Sequence, residues 1–403
     1  MSDIFEKFDH IKTLHSSIVE LAGSDPLAVR IDEVTSGTQA KIHGRDCVLM
    51  GSNNYLGLTF DEKAVEASCA AVQDFGTGTT GSRAANGSYA SHQDLEKRIA
   101  EFYERKKAIL FTTGYQANVG FLSAIAGKDD YVLIDSESHA SIYDGCKMCN
   151  ATVLHFRHND AQDLEKRLGR LPQEACKIVV TEGIFSMRGD RAPLKDIIAA
   201  AKKFGAYMVV DEAHSLGVLG KNGRGLAEEE GVEDQVDFIL GTFSKSVGTI
   251  GGFCVSNHDG LDMVRLAARA YLFTASLPPS VVASASVTLE RIKNEPQLRE
   301  TLWRNTDMLY DGLKAMGYDV GPHKNPVIGI FMPGLEQGLA AWNRLLENGV
   351  YVNLALPPAT PEGVCLLRCS VNAGHTTKQL EKVLDAFAAL YEELYPPKKV
   401  AAE

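Results

Sequence analysis

The chain reads as an α/β protein in which a large domain built on a mostly parallel sheet precedes a smaller α+β domain. Three observations predict this. Between residues 54 and 290, short apolar runs suited to strands alternate with segments of helical periodicity. Past residue 290 the helices lengthen and the strands become sparse. A chain of 403 residues also exceeds what one hydrophobic core usually serves.

Residues 1–53 read as an arm and a hairpin. Phe5, Phe8, Ile11, Leu14 and Ile18 recur at spacings of three and four, which marks an amphipathic helix that docks elsewhere, such as on a partner subunit. Residues 41–50 suit a hairpin with His43-Gly44-Arg45-Asp46 at its turn. In the large domain, 54–290, helices are expected at 62–75, 92–103, 117–125 and 194–204. Strands are expected at 107–111, 131–135, 152–156, 176–181, 206–211 and 238–241. The small domain, 291–403, offers helices at 296–316, 334–347 and 377–394 and strands at 327–332, 350–353 and 364–370. The tail Pro396-Pro397-Lys398-Lys399 reads as frayed.

Composition narrows the class. With 45% hydrophobic and 23% charged residues the chain is an ordinary globular one. A net charge of −11 argues against a general nucleic-acid binder. No apolar run approaches the roughly 18–20 residues of a membrane span. The start, Met1-Ser2-Asp3-Ile4-Phe5-Glu6-Lys7, lacks the basic-then-apolar pattern of a signal peptide, so the expected location is cytoplasmic. Eight dispersed cysteines suit free thiols. Cys146 and Cys149 form a C-x-x-C without a second pair at zinc spacing, so they read as helical cysteines and no metal is expected. Gly76-Thr77-Gly78-Thr79-Thr80-Gly81 matches a dinucleotide fingerprint but follows a helical segment and continues as loop. That context argues against a dinucleotide site and for a loop whose backbone passes close to a ligand.

Two stretches carry the chemistry. Asp211-Glu212-Ala213-His214 directly follows the apolar run Tyr207-Met208-Val209-Val210. Gly241-Thr242-Phe243-Ser244-Lys245-Ser246 follows Phe238-Ile239-Leu240 and leads into Gly248-Thr249-Ile250-Gly251-Gly252. Ligands in open α/β sheets bind beyond the carboxyl ends of the strands, where both stretches fall. A lysine among small hydroxyl residues and an acid at the end of a buried strand suit pyridoxal phosphate. The lysine forms the Schiff base, the aspartate pairs with the pyridinium nitrogen and the hydroxyls hold phosphate. A free lysine has a pKa near 10.4, so roughly one in a few thousand is neutral at pH 7, and enclosure supplies the neutral amine this chemistry needs. Asp211 buried alone would be costly, and a protonated ring nitrogen is its partner. His214 is placed to reach the phenolic oxygen. Gly114 and Tyr115 open a helix after a strand, where backbone N–H groups suit a phosphate. His139 follows another strand, and an imidazole there can stack on the cofactor ring.

With Gly51-Ser52-Asn53-Asn54-Tyr55-Leu56-Gly57-Leu58, Gly81-Ser82-Arg83 and Asp135-Ser136-Glu137-Ser138-His139-Ala140-Ser141, these stretches resemble the α-oxoamine synthases over about residues 40–375. These are pyridoxal phosphate enzymes of aminotransferase fold type I, with a mostly parallel seven-stranded sheet. They condense an amino acid with an acyl-CoA and release CoA and CO2. Carried over by position, the resemblance implies that Gly114, Tyr115, Ser186, Thr242 and Ser244 help hold the cofactor. His139 stacks on the ring and touches the substrate carboxylate, Asp211 and His214 pair with the ring, and Lys245 is the Schiff-base lysine and acid/base. Phe273 and Thr274 reach the phosphate of the neighbouring subunit, which makes the homodimer obligate. Asn54 and Arg368 contact the substrate, Arg368 as the carboxylate anchor.

Within the family, Ser244–Thr249 and Pro357-Pro358-Ala359-Thr360-Pro361 resemble the branch that joins L-serine to a long-chain acyl-CoA, the second segment as a mobile loop over the site. That branch often carries an arginine where this chain has Leu356, so the weight of carboxylate binding falls on Arg368. Sibling branches that use glycine or alanine stay open as an alternative. So does a non-catalytic partner subunit, although such subunits lack the lysine. A peripheral membrane contact for product release is a further expectation.

Overall fold

The computed structural model describes residues 3–357, 360 and 364–394. The tail at 396–399 and residues 358, 359 and 361 of the mobile-loop segment lie outside the described residues. The chain divides into two compact units, one of residues 53–186 and 190–301, the other of residues 1–52, 187–189 and 302–403. The N-terminal arm and hairpin thus share a unit with the C-terminal segment.

The unit that begins at Asn53 holds seven strands: β1 (Lys107–Phe111), β2 (Tyr131–Asp135), β3 (Thr152–Phe156), β4 (Lys177–Glu182), β5 (Tyr207–Asp211), β6 (Phe238–Thr242) and β7 (Gly252–Ser256). Their order across the sheet is β1-β7-β6-β5-β4-β2-β3. Neighbours from β6 to β3 pair in parallel. Only β7 runs against its neighbours, β1 and β6. β4, β6 and β7 are buried along their whole length, which explains the unbroken apolar runs at the sheet centre. Ile109, Phe111, Phe121, Val180, Val209 and Leu240 belong to one core against the sheet.

Six of these strands match the sequence expectation to within a residue at either end; β7 was not anticipated. Buried along its whole length, it has no polar–apolar alternation to read, and only pairing with β1 and β6 defines it. The helix Ala161–Leu168 was also unforeseen, and Ala140–Met148 was anticipated only in the reading of Cys146 and Cys149 as helical, Cys149 proving to be its C-cap. The latter helix runs close behind β2, so its apolar residues merged with the strand signal.

In the other unit, the hairpin pairs Gln39–Ile42 with Arg45–Leu49, and its two turn residues are His43 and Gly44, with φ of 50° and 74°. That is a type I′ turn, one step tighter than the four-residue turn expected. Ile31–Ser36 adds an exposed strand to it that the sequence did not announce. Of the arm's periodic apolar residues Ile18 is buried, as is Ala22 at the helix end, while Phe5, Phe8, Ile11 and Leu14 are exposed. Val327–Met332, Cys365–Ser370 and Asn353–Ala355 make a separate antiparallel sheet.

Candidate active site

The carboxyl ends of the parallel strands converge on one cavity of about 240 Å³ lined by residues that include Gly114, Tyr115, His139, Asp211, His214, Thr242, Ser244 and Lys245. Thr113, Asn118, Ser141, Glu182, Ala213 and Gly241 also line it; Ser141, Ala213 and Gly241 lie within the motifs quoted above, but none of the six was given a role from the sequence. Five of the seven strands supply a piece. β1 leads to the helix Gly114–Ile125, β2 to His139, β4 ends in Glu182, β5 in Asp211, and β6 in Thr242 just before Ser244 and Lys245.

Lys245 is half-buried. Its carbonyl accepts the Gly248 N–H at 2.9 Å, closing a tight turn. Gly248 has a φ of 78°, and a Cβ there would sit 2.9 Å from the backbone at Leu58 and Thr59, so the turn needs glycine. Thr242 Oγ1 donates to the Gly251 carbonyl at 2.8 Å and accepts the Ser244 N–H at 3.2 Å.

Thr113 caps the helix Gly114–Ile125 by accepting the Gln116 N–H at 3.0 Å. The N–H groups of Gly114 and Tyr115 lead that helix and have no partner within it. A Cβ on Gly114 would lie 2.7 Å from Thr242 Cβ and 2.8 Å from its Oγ1, so glycine keeps open a hollow between two amide donors and two hydroxyls. A phosphate fits that hollow. Tyr115 points its hydroxyl to Asp144 at 2.5 Å, so its part in the hollow is its backbone.

Asp211 is buried, and both its oxygens accept: Oδ1 from the Ala213 N–H at 2.9 Å, Oδ2 from Asn118 Nδ2 at 2.7 Å. His214 Nδ1 lies 2.7 Å from the hydroxyl of Tyr55, a fully buried residue. Glu182 lies in register with Asp211 on the adjacent strand and accepts the His139 N–H at 2.5 Å. Burial, reinforced by the Asp211 charge, holds the Glu182 carboxyl well above the usual carboxylate range. His139 keeps an exposed face. Protein packed round the rest of its ring still lowers its pKa, burial being the main cause and the Asp211 charge opposing it.

The remaining expected residues lie elsewhere. Asn54 bonds Thr59 Oγ1 at 2.7 Å and does not line the cavity. Ser186 follows β4 outside the lining, and Phe273 is 73% exposed, with Thr274 next to it accepting from Gln116 Nε2 at 3.4 Å. Arg368 belongs to the other unit, where it is buried and donates to Ser370 Oγ at 2.9 Å. Leu356, in that same unit, is buried too.

A lysine, a buried carboxylate and an amide-and-hydroxyl hollow around one cavity define a pyridoxal phosphate site in its donor set. The chain belongs to the aminotransferase class I and II family, whose pattern matches residues 45–387. Among its relatives, a serine palmitoyltransferase of Caulobacter vibrioides is 54% identical over 96% of both chains. That of Sphingomonas paucimobilis is 49% identical, over 96% of this chain and 93% of its own. A structure of a serine palmitoyltransferase with its pyridoxal phosphate internal aldimine superposes with a TM-score of 0.96 at 48% identity, covering 98% of this chain and 99% of that one. Among the described residues no helix is long and apolar enough to cross a membrane, and no His/Cys/Asp/Glu cluster could hold a metal.

Proposed function

We infer that the chain is a pyridoxal phosphate acyltransferase that condenses L-serine with palmitoyl-CoA, giving 3-ketodihydrosphingosine, CoA and CO2. The observation that carries this reading is Lys245 and Asp211 lining one cavity with His139, in a chain about half identical to two serine palmitoyltransferases over nearly its full length.

Bound in the cavity, pyridoxal phosphate acts as an electron sink for negative charge at the amino-acid Cα. The Gly114 and Tyr115 N–H groups, with Thr242 and Ser244, take the phosphate. Asp211 pairs with the ring nitrogen, its orientation fixed by Asn118 and Ala213. His214 faces the phenolic oxygen. Lys245 Nζ takes the Cα proton before the thioester carbonyl is attacked and returns one after CO2 leaves. His139 covers the ring and donates to the substrate carboxylate, with Arg368 and Asn54 as further substrate contacts. The protein works as a homodimer in the cytoplasm, with Phe273 and Thr274 serving the neighbouring subunit's phosphate; the exposure of Phe273 supports that role. Product leaves by a peripheral membrane contact.

The test is a mass-spectrometric product assay with palmitoyl-CoA and serine, glycine or alanine in turn. Serine should give the fastest product formation, and Lys245→Ala should bring it below detection. A product only with glycine or alanine would move the chain to a sibling activity.

A further inference from the structure

We propose that Asn118 and Ser141 form a hydrogen-bond relay between Asp211 and His139 that fixes which nitrogen of His139 carries its proton. The relay is closed and buried, Asn118 at 3% exposure and Ser141 at 1%. Asn118 Nδ2 has two hydrogens and spends both, on Asp211 Oδ2 at 2.7 Å and on Ser141 Oγ at 2.9 Å. A flipped amide would bring its oxygen against the Asp211 carboxylate, so the carboxylate sets the amide. Asn118 Oδ1 is buried with no partner among the described residues, so the two donated bonds alone hold this orientation.

The rest follows from counting hydrogens. Ser141 Oγ accepts from Asn118 and keeps one proton to donate, with His139 Nδ1 2.7 Å away, and the backbone settles the direction of that bond. The Ser141 backbone N–H points at the same nitrogen from 3.2 Å. A ring nitrogen facing two donors must present its lone pair, so the neutral ring carries its proton on Nε2. His139 therefore offers an N–H and not a lone pair from Nε2. The residue assigned to the ring nitrogen and the residue assigned to the ring face are thus linked by two side chains, one of them on the helix whose first turn forms the phosphate hollow. Asn118 and Ser141 are positioning residues. Their catalytic consequence rests on the reading of this cavity as the reacting centre; the tautomer does not.

The experiment reads both. Protein labelled with 15N at its histidine rings is prepared without cofactor, and the His139 signals are assigned with His139→Gln. Wild type should show Nε2–H with an unprotonated Nδ1. Ser141→Ala leaves only the longer 3.2 Å backbone N–H facing Nδ1 and should raise the share of the Nδ1–H form, and Ser141→Thr, which keeps the hydroxyl, should restore the wild-type pattern. In the loaded enzyme Ser141→Ala should lower kcat by on the order of tenfold to a hundredfold, more than it raises the KM for serine, through misplacement of His139. Asn118→Ala should act in the same direction and add little to Ser141→Ala, as expected for two links of one chain. An Nδ1–H tautomer in wild type, or an unchanged tautomer in Ser141→Ala, would overturn the relay whatever the reaction proves to be. A tautomer that shifts while serine gives no product would leave the relay standing and remove only the assigned reaction.

Discussion

Two histidines at the carboxyl end of the same sheet have opposite fates. The ring of His139, just beyond β2, bonds the Ser141 hydroxyl and not a carboxylate, and burial lowers its pKa. His158, just beyond β3, lies 2.8 Å from Asp135 through Nδ1 and 2.6 Å from Asp190 through Nε2. Burial opposes its charge too, but the two carboxylates outweigh it and push the pKa up to about 10. The first ring is neutral and open to a cavity; the second is a half-buried cation that ties β2, β3 and the loop after β4 together. Asp135 also accepts the Glu137 and Asn159 N–H groups at 2.8 Å, so the second cluster anchors the loop that delivers the first histidine. Direct carboxylate contact makes a histidine a structural ion. An interposed amide and hydroxyl keep it a neutral hydrogen-bonding tool.

The largest effect expected is at Asp211. Asp211→Asn removes the charge proposed to pair with the ring nitrogen and should lower kcat by on the order of 10²–10³-fold, with little change in thermal unfolding. Next, His158→Gln strands two carboxylates beside Phe185 and should cost about 3 kcal/mol of stability in urea unfolding, with kcat affected far less than by His139→Gln. Equal effects of the two variants on both readouts would dissolve the contrast between the histidines.

The pH dependence sharpens it. A raised folded pKa adds stability that is fully present below the unfolded value of 6.5 and is lost as pH rises through about 10. The stability gap between wild type and His158→Gln should therefore be widest near pH 6 and shrink by pH 10. A gap that stays constant would contradict the imidazolium reading. The smallest effect is at Gly114: Gly114→Ala crowds Thr242 by about 1–3 kcal/mol and should weaken cofactor binding roughly tenfold, measured by equilibrium dialysis.

Much of this was legible in the sequence. Asp211 and Lys245 could be read because each follows an apolar run that can only be a buried parallel strand, and such strands deliver their next residues to one edge. Gly114 was legible as a helix start after a strand. Asn118, Ser141 and Glu182 were not. They are ordinary polar residues within a helix, at a helix start and at a strand end, and only the packing of three strand ends reveals them. Tyr55 sat inside a noted motif, but its bond to His214 spans the distance from the chain's first quarter to its middle. β7 failed for a plainer reason, since five buried residues after a glycine-rich turn show no period, although the strand pairs with β6 just before it as well as with distant β1. The arm's periodicity gave the helix Asp9–Ala22, yet Phe8, Ile11 and Leu14 are exposed.

The most direct test of the reacting centre is reduction of the pyridoxal phosphate–loaded protein with borohydride, followed by peptide mass spectrometry. The account predicts a single pyridoxyl group on Lys245, lost in Lys245→Ala and displaced when L-serine is added before reduction. A label on another lysine, or one that serine does not displace, would contradict it.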